Sequence, residues 1–240
     1  MVALSAAMGL MALPGAANNS LRQLLISHRC VGCDLSDTVL VGADLEDADL
    51  TGADLSGANL HQARLPRAQM TEANLRQADL SEAVVSQADL SQADLRGANF
   101  SQATLTGSRL VGVTAAAVSL ENAVAIDSDW YGSDLSGSRL DGAAFNRVSF
   151  LNTDLTNATL TRGQFYRAYM IGTRLDGADL TGADLREILI RDASLDGTNF
   201  TDADLLGANL ARADLSKALF CNTRMADGVV NNEHCAAVSR

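Results

Sequence analysis

Every fifth residue of this chain is apolar over most of its length. Thirty-nine consecutive multiples of five, from Leu35 to Met225, carry Leu, Met, Ile, Val, Ala, Phe or Trp, and no insertion breaks the count. A period of five matches neither the 3.6-residue period of an α-helix nor the two-residue alternation of an ordinary strand. A fixed period of this length indicates a repeat architecture, and its unbroken phase favours a single elongated domain.

The residues around each multiple of five, here called a centre, predict the shape of one repeat. The residue two positions before a centre is usually small, as Ala48 and Ala53 are, and the residue between them is usually Asp or Asn. Residues two apart in an extended segment point to the same side, so the centre and the small residue should point inward. The polar residues or Gly that follow, such as Ser56 and Gly57, predict a corner in every repeat.

Aromatic residues agree with burial of the centres. All six Phe and the single Trp occupy centres. The three Tyr lie off the centres: Tyr131, Tyr166 and Tyr169. This division fits buried Phe rings and Tyr hydroxyls that remain in water. In one irregular region Ala115 and Ala125 are the centres while Val113 and Val118 replace small residues, and we expect this exchange to conserve core volume.

The run Ala-Asp-Leu-Ser-Gly, with its many variants, resembles the pentapeptide-repeat family over residues 33–225. The resemblance implies an all-β solenoid, namely a right-handed quadrilateral β-helix with about twenty residues per coil. Thirty-nine repeats would then form about ten coils, and a spacing of about 4.8 Å per strand gives a rod roughly 45 Å long. Residues twenty apart should stack, which predicts Phe145 over Phe165 and Phe200 over Phe220.

Both ends of such a rod need covering, because a stacked coil leaves unpaired strand edges. Residues 1–17 are uncharged and end in Pro-Gly-Ala-Ala, which favours a signal peptide or its remnant over a buried N-terminal helix. They are too few to span a bilayer. Residues 18–32 predict a short capping helix, in which Ser20 is the candidate N-cap before the apolar Leu21 and Leu24. Residues 226–240 lack the repeat and predict a C-terminal capping loop and tail.

Four cysteines flank the repeats in two pairs. Cys30 and Cys33 have zinc-ligand spacing, but Cys221 and Cys235 would lie at the other end of the rod, so four thiolates would not share one ion. We expect two local disulfides, Cys30–Cys33 and Cys221–Cys235, which suit an exported protein. A redox-active Cys30/Cys33 pair and free thiols remain open alternatives. The flanks LLISHRCVGCDL and FCNTRMADGVVNNEHC resemble pentapeptide-repeat proteins of cyanobacteria and plant plastids, some of which are exported to the thylakoid lumen.

The chain is acidic, with a formal net charge of −11. This charge disfavours non-specific binding to nucleic acid or anionic lipid. Six Asp share one phase of a twenty-residue coil: Asp34, Asp54, Asp94, Asp134, Asp154 and Asp214. In the resembled family, acidic rods that mimic a DNA duplex can bind topoisomerases. The alternative is that Asp and Asn satisfy backbone groups near the corners, and Arg174 interrupts the column.

Nothing in the sequence predicts an enzyme. His28, His61 and His234 are widely dispersed, and no Ser is expected to have a base on a neighbouring coil. The recurrent Gly-Ala-Asp-Leu is not a phosphate loop, because no strand-to-helix transition follows it. We expect no cofactor, no metal site and no small-molecule substrate.

One outward-facing set of residues is apolar where the repeat pattern expects polar residues. Val111, Tyr131, Leu151 and Ile171 are spaced by twenty and each directly follows a centre. The adjacent column adds two members to this set, Tyr169 and Leu189. We call these six residues the stripe. Contiguous exposed apolar surface usually marks an interface, although a terminal segment folded over it would also explain the stripe.

The sequence as a whole predicts a non-enzymatic, exported β-helical rod that serves as a binding or scaffold module. Its partner would be an unidentified protein or a second copy of the chain, and no membrane span is expected. The expected compartment is the thylakoid lumen or the periplasm, with the cytoplasm as the alternative. Two other functions remain: a DNA-mimicking topoisomerase binder, and a thiol-redox protein that uses Cys30 and Cys33.

Overall fold

The computed structural model describes residues 15–235, with side chains described from residue 19 onward. Its regular elements are helix α1, Gly15–Ser27, and four short strands. The strands are β1, Tyr169–Ile171, β2, Leu189–Arg191, β3, Thr223–Arg224, and β4, Val230–Asn231. Most of the remaining sheet consists of single-residue parallel bridges, because each side of the rod is only a few residues long.

The bridges confirm that one coil contains four pentapeptides. Asp34 pairs with Asp54 and Asp54 with Asn74, so partners are twenty residues apart. Each centre donates its backbone N–H to the next coil, as Leu55 does to the Asn74 carbonyl at 2.7 Å. The residue before the centre donates in the opposite direction, as Asn74 does to the Ala53 carbonyl at 2.9 Å. The result is a four-sided parallel β-helix whose coils are hydrogen-bonded on every side.

A tight turn forms each corner. The residue two positions after the centre has positive φ, whether it is Gly57 at 66° or Gln62 at 57°. The following residue then donates back to the centre, as Ala58 does to the Leu55 carbonyl at 3.0 Å. Gly adopts this conformation without strain, but many corners carry Gln, Asp, Asn, Arg or Glu. Those corners are held in place by the hydrogen bonds of the coil rather than by local preference.

The core is a column of centres and small residues. Trp130, Leu135 and Phe150 are buried. The predicted stacks are present, with ring centroids 5.7 Å apart for Phe145 over Phe165 and 5.6 Å apart for Phe200 over Phe220.

Val113 and Val118 are buried beside the small centres Ala115 and Ala125, as the volume exchange requires. Trp130 lies near this region with only 1 % of its surface exposed. Its indole N–H donates to Ser128 Oγ at 2.9 Å. The core therefore stays filled through the irregular coil.

Buried hydroxyls connect successive coils in a way that the sequence pattern did not predict. At most positions where Ser or Thr replaces the small Ala, its hydroxyl donates to the carbonyl of a centre twenty-three residues earlier. Thr38 and Ser128 instead donate to the centre three residues earlier. Ser133 reaches the Leu110 carbonyl at 2.6 Å and Thr153 reaches the Trp130 carbonyl at 2.8 Å. These bonds satisfy buried hydroxyls and clamp one coil to the next.

The N-terminal boundaries differ from the expected ones. Helix α1 ends at Ser27, and the coil pattern begins with the bridge between Arg29 and Asp49. The predicted helix at 18–32 therefore starts three residues too late and ends five residues too late, and Ser20 lies within the helix instead of at its N-cap. The predicted repeat start at residue 33 is also too late. The physical reason is that Cys30, itself a multiple of five, is a fully buried centre. Of the predicted signal segment 1–17, residues 1–14 lie outside the described residues.

The C-terminal end also differs from a simple capping loop. The chain closes with an antiparallel pair in which β3, directly before the last centre Met225, pairs with β4. Leu210, Leu215 and Met225 are only partly buried, so the expectation that every centre is inside was wrong at this end. The reason is that these residues belong to the last coil and have no complete coil above them.

Candidate interaction surface

The stripe is a continuous ladder on one side of the rod. Strands β1 and β2 pair in parallel here, with Tyr169 beside Leu189 and Ile171 beside Arg191. The corner Gly132 donates its N–H to the Leu151 carbonyl at 2.9 Å, and Asn152 donates to the Ile171 carbonyl at 2.9 Å. The backbone therefore fixes the stacking of the stripe independently of its side chains.

The stripe is exposed most strongly at its two tyrosines. Tyr131 and Tyr169 each retain 48 % of their surface. The remaining members are half-buried against their column neighbours: Val111, Leu151, Ile171 and Leu189. Within residues 19–235 no segment covers the tyrosines, so the fold itself leaves them open to contact.

Charged residues border the stripe, and sequence reasoning overlooked them. Arg191 continues the column after Ile171, and its Nε is buried with no hydrogen-bond partner among the described residues. Asp129 lies in the adjacent column, the one that contains Tyr169, two coils before that residue. One oxygen of its carboxylate accepts the Tyr131 N–H at 3.1 Å. Both residues could have been identified from the sequence, because each lies a multiple of twenty residues from a member of the stripe.

The acidic column is engaged with its own backbone and with arginines. Asp54 Oδ1 accepts the Ser56 N–H at 2.9 Å and the Asn74 side-chain amide at 2.9 Å. Asp154 forms an ion pair of 2.9 Å with Arg174, the residue that interrupts the column. Much of this negative charge therefore serves the fold locally.

Two Asp–Arg pairs illustrate the electrostatics of the corners. Hydrogen bonds from Arg96 hold the pKa of Asp94 below its ordinary value. Hydrogen bonds from Arg186 lower the pKa of Asp184 in the same way. In each pair Asp precedes a centre and Arg follows it, so both side chains leave one short strand on the same outer side.

Tyr166, the third tyrosine, lies on a different and more polar side of the rod. The guanidinium of Arg167 lies 5.0 Å from its ring centroid and that of Arg186 lies 5.8 Å away. Its hydroxyl donates to Glu187 at 3.2 Å. Tyr166 is therefore held by charged neighbours, whereas Tyr131 and Tyr169 adjoin apolar ones.

The structure contains disulfides between Cys30 and Cys33 and between Cys221 and Cys235. Cys30 is fully buried, while helix α1 contributes the buried Leu24 to the same core. At the other end the disulfide joins the last coil to the segment that follows β4. Each bridge thus lies where the rod meets its terminal segment.

One histidine lies beside a serine of the neighbouring coil, contrary to the expectation from the sequence. His61 Nδ1 lies 2.9 Å from Ser81 Oγ, one coil away, so the expectation that no Ser would have a neighbouring base was wrong. Among the described residues no carboxylate is hydrogen-bonded to His61, and no group of His, Cys, Asp or Glu could hold a metal ion. The part of the chain described here has no helix long and apolar enough to cross a bilayer.

Family comparisons agree with this geometry. A model described as pentapeptide repeats matches residues 29–65, 68–107 and 116–150. A second, described as a pentapeptide repeat region, matches residues 143–220. The chain belongs to the pentapeptide-repeat family. Membership implies the right-handed quadrilateral β-helix expected from the repeat.

Solved structures of other pentapeptide-repeat proteins are similar to this one. HetL, involved in heterocyst differentiation regulation in the cyanobacterium Nostoc sp. strain PCC 7120, is 29 % identical, with 88 % of this chain and 97 % of HetL covered and a TM-score of 0.40. A protein from the Arabidopsis thaliana thylakoid lumen is also 29 % identical, with 50 % and 71 % covered and a TM-score of 0.23.

QnrB1, a plasmid-mediated fluoroquinolone resistance protein, is 16 % identical, with 80 % of this chain and 93 % of QnrB1 covered and a TM-score of 0.42. No protein with a curated description matches the sequence.

Proposed function

We propose that this pentapeptide-repeat protein is a non-enzymatic binding or scaffold module whose stripe is its interface. The observation that carries the proposal is the exposed apolar ladder centred on Tyr131, Leu151 and Ile171. The core is complete without these side chains, because the centres beneath them are buried. An apolar ladder that the core does not need is best explained by contact with another molecule.

The rigidity of the rod suits this role. The backbone of each strand in the stripe is fixed by hydrogen bonds to both neighbouring coils. A surface that is already ordered loses little conformational entropy when it binds. The side of the rod that carries the stripe therefore offers a pre-formed surface of five strands, from Val111 to the bordering Arg191, about 19 Å long at about 4.8 Å per strand.

We also propose that the protein is exported and works in an oxidising compartment, the thylakoid lumen or the periplasm. Two disulfides at the ends of the rod support this, since disulfides persist in such compartments. The apolar, uncharged residues 1–17 support it as a signal peptide or its remnant. Mass spectrometry of the mature chain from its native source should find an N-terminus near Ala17, and an intact Met1 would contradict export by this route.

The two alternative functions receive less support. Asp54 and Asp154 of the acidic column accept hydrogen bonds from the protein itself, and Arg174 interrupts the column, which weakens resemblance to a DNA duplex. Burial of Cys30 restricts attack on the Cys30–Cys33 disulfide, which argues against a thiol-redox role.

Affinity purification tests the interface. The protein and its Leu151→Asp/Ile171→Asp variant are isolated side by side from the native compartment. The matched control is Ala116→Asp/Ser136→Asp, which places two charges twenty residues apart at half-buried positions directly after centres on an adjacent side. The proposal predicts that only the stripe variant loses its associated chains. Equal recovery with all three proteins would refute it.

A further inference from the structure

The two columns of the stripe side are self-complementary about Leu151. In the column after the centres, Val111 and Tyr131 precede Leu151, and Ile171 and Arg191 follow it. Consider a twofold axis that lies in the plane of contact at the level of Leu151 and runs perpendicular to the rod. It would place Leu151 against Leu151 of a second copy, and Tyr131 against Ile171 of that copy. Such correspondence, in which residue i meets j and j meets i, is what a symmetric interface requires.

The adjacent column, formed by the residues directly before the centres, is related by the same twofold axis. It reads Arg109, Asp129, Ser149, Tyr169 and Leu189, joined by successive parallel bridges. The axis places Asp129 opposite Tyr169, and Ser149 opposite itself. Asp129 accepts the Tyr131 N–H through Oδ1, which leaves its second oxygen available for a phenol. No hydrogen bond of the Tyr169 hydroxyl occurs among the described residues.

We propose that the occupant of the stripe is a second copy of this chain, packed side to side with the two rods antiparallel. This inference rests on the proposed function of the stripe as an interface and names its partner. Two faces with the same strand spacing, about 4.8 Å, stay in register over all five strands. The side chains of a partner α-helix would lose this register along the rod, because each helical turn rises about 5.4 Å.

The antiparallel direction follows from which side chains meet. With parallel rods, a twofold axis along the rod would put Tyr131 against Asp129 and Leu151 against Ser149, and only Tyr169 and Ile171 would join two apolar side chains. The antiparallel arrangement joins apolar to apolar in the central strands. At the two ends of the contact it places Arg191, whose Nε has no partner among the described residues, opposite Val111 of the second copy, and Arg109 opposite Leu189. The charged groups therefore lie at the rim of the contact, and the apolar pairs lie at its centre.

The contact is small, so the dimer should be weak and reversible. Interfaces well below about 1,200 Å² in total are typical of transient associations. We therefore expect a dissociation constant in the micromolar range, and measurements should extend to roughly 100 μM chain.

Site-directed cross-linking tests the arrangement in the full chain with its disulfides intact. Leu151→Cys introduces the one free thiol at the axis, and two such thiols should join through a bismaleimide of about 10 Å reach, the spacing of packed sheets. Ser136→Cys, directly after a centre on an adjacent side, is the matched control and should not cross-link. Mixing Asp129→Cys with Tyr169→Cys chains of different mass should give mixed dimers in preference to dimers of either variant alone.

Sedimentation equilibrium supplies the second readout. The wild type should show a dimer, and Leu151→Asp should weaken it at least tenfold, because two carboxylates would face each other at the axis. Ser136→Asp should leave it unchanged. A wild type that stays monomeric, with Leu151→Cys no more cross-linked than Ser136→Cys, would overturn the second-copy inference. If the stripe variant nevertheless loses a different bound protein in the affinity experiment, the interface stands and only its occupant is wrong.

Discussion

Tyr131 and Leu151 lie directly above one another on consecutive coils, joined where the Gly132 N–H meets the Leu151 carbonyl at 2.9 Å. Their stacking is set by the backbone, while their apolar character is an independent property of the sequence. This separation matters because the interface can be altered without touching the core.

Leu151→Asp combined with Ile171→Asp should leave the rod folded. Both side chains point outward and are half-buried, so the new carboxylates remain accessible to water. Surface changes of this kind usually alter stability by less than about 0.5 kcal/mol each. The emission of buried Trp130 reports the core, and its wavelength and urea midpoint should match those of the wild type. A red-shifted emission would show that the stripe supports the core instead.

The repeat, the inward centres and the stripe were all predictable from sequence because each depends on a fixed count. Phe145 over Phe165 follows from a separation of twenty once four repeats make a coil. The N-terminal end was harder to predict, because Cys30 is both a buried centre of the repeat and one half of a cysteine pair. Contacts such as His61 with Ser81 depend on side-chain rotamers at the corner, which a repeat pattern does not specify.

The hydroxyl of Thr153 should contribute measurably to stability. It donates to the Trp130 carbonyl at 2.8 Å inside the core. Thr153→Val keeps the size but removes the donor, and should lower the free energy of unfolding by about 1 kcal/mol. Thr153→Ser keeps the donor, as Ser133 does one coil earlier, and should lie closer to the wild type. Equal losses for Val and Ser would assign the effect to packing and not to the hydrogen bond.

Removing the C-terminal disulfide should loosen the last coil. Cys221 and Cys235 are fourteen residues apart, against three for Cys30 and Cys33. Loop closure of about this length is worth roughly 3 kcal/mol in the chain-entropy model. In Cys221→Ser/Cys235→Ser, hydrogen exchange should accelerate at the His234 amide, which donates to the Phe220 carbonyl at 2.8 Å. Amides near Leu75 serve as the internal reference, and acceleration there as well would indicate global unfolding instead.

Acid should destabilise the rod. Hydrogen bonds from Arg96 and Arg186 lower the pKa of Asp94 and Asp184 in the folded chain. A carboxyl group whose pKa is lower when folded stabilises the protein above its ordinary value of about 3.9, and this contribution is lost as pH falls through the lowered pKa. Urea midpoints should therefore fall below about pH 4. Arg96→Gln/Arg186→Gln should lessen that fall, and an unchanged pH profile would count against these pairs.

Tyrosine footprinting of the native assembly tests the stripe most directly, because the chain carries its own control. The assembly and the Leu151→Asp/Ile171→Asp variant are nitrated under identical mild conditions, and the modified tyrosines are quantified by mass spectrometry. The account predicts that Tyr131 and Tyr169 are protected in the wild-type assembly and reactive in the variant, while Tyr166, on another side of the rod, reacts equally in both. Equal modification of Tyr131 and Tyr169 in the two samples would contradict the stripe as an interface.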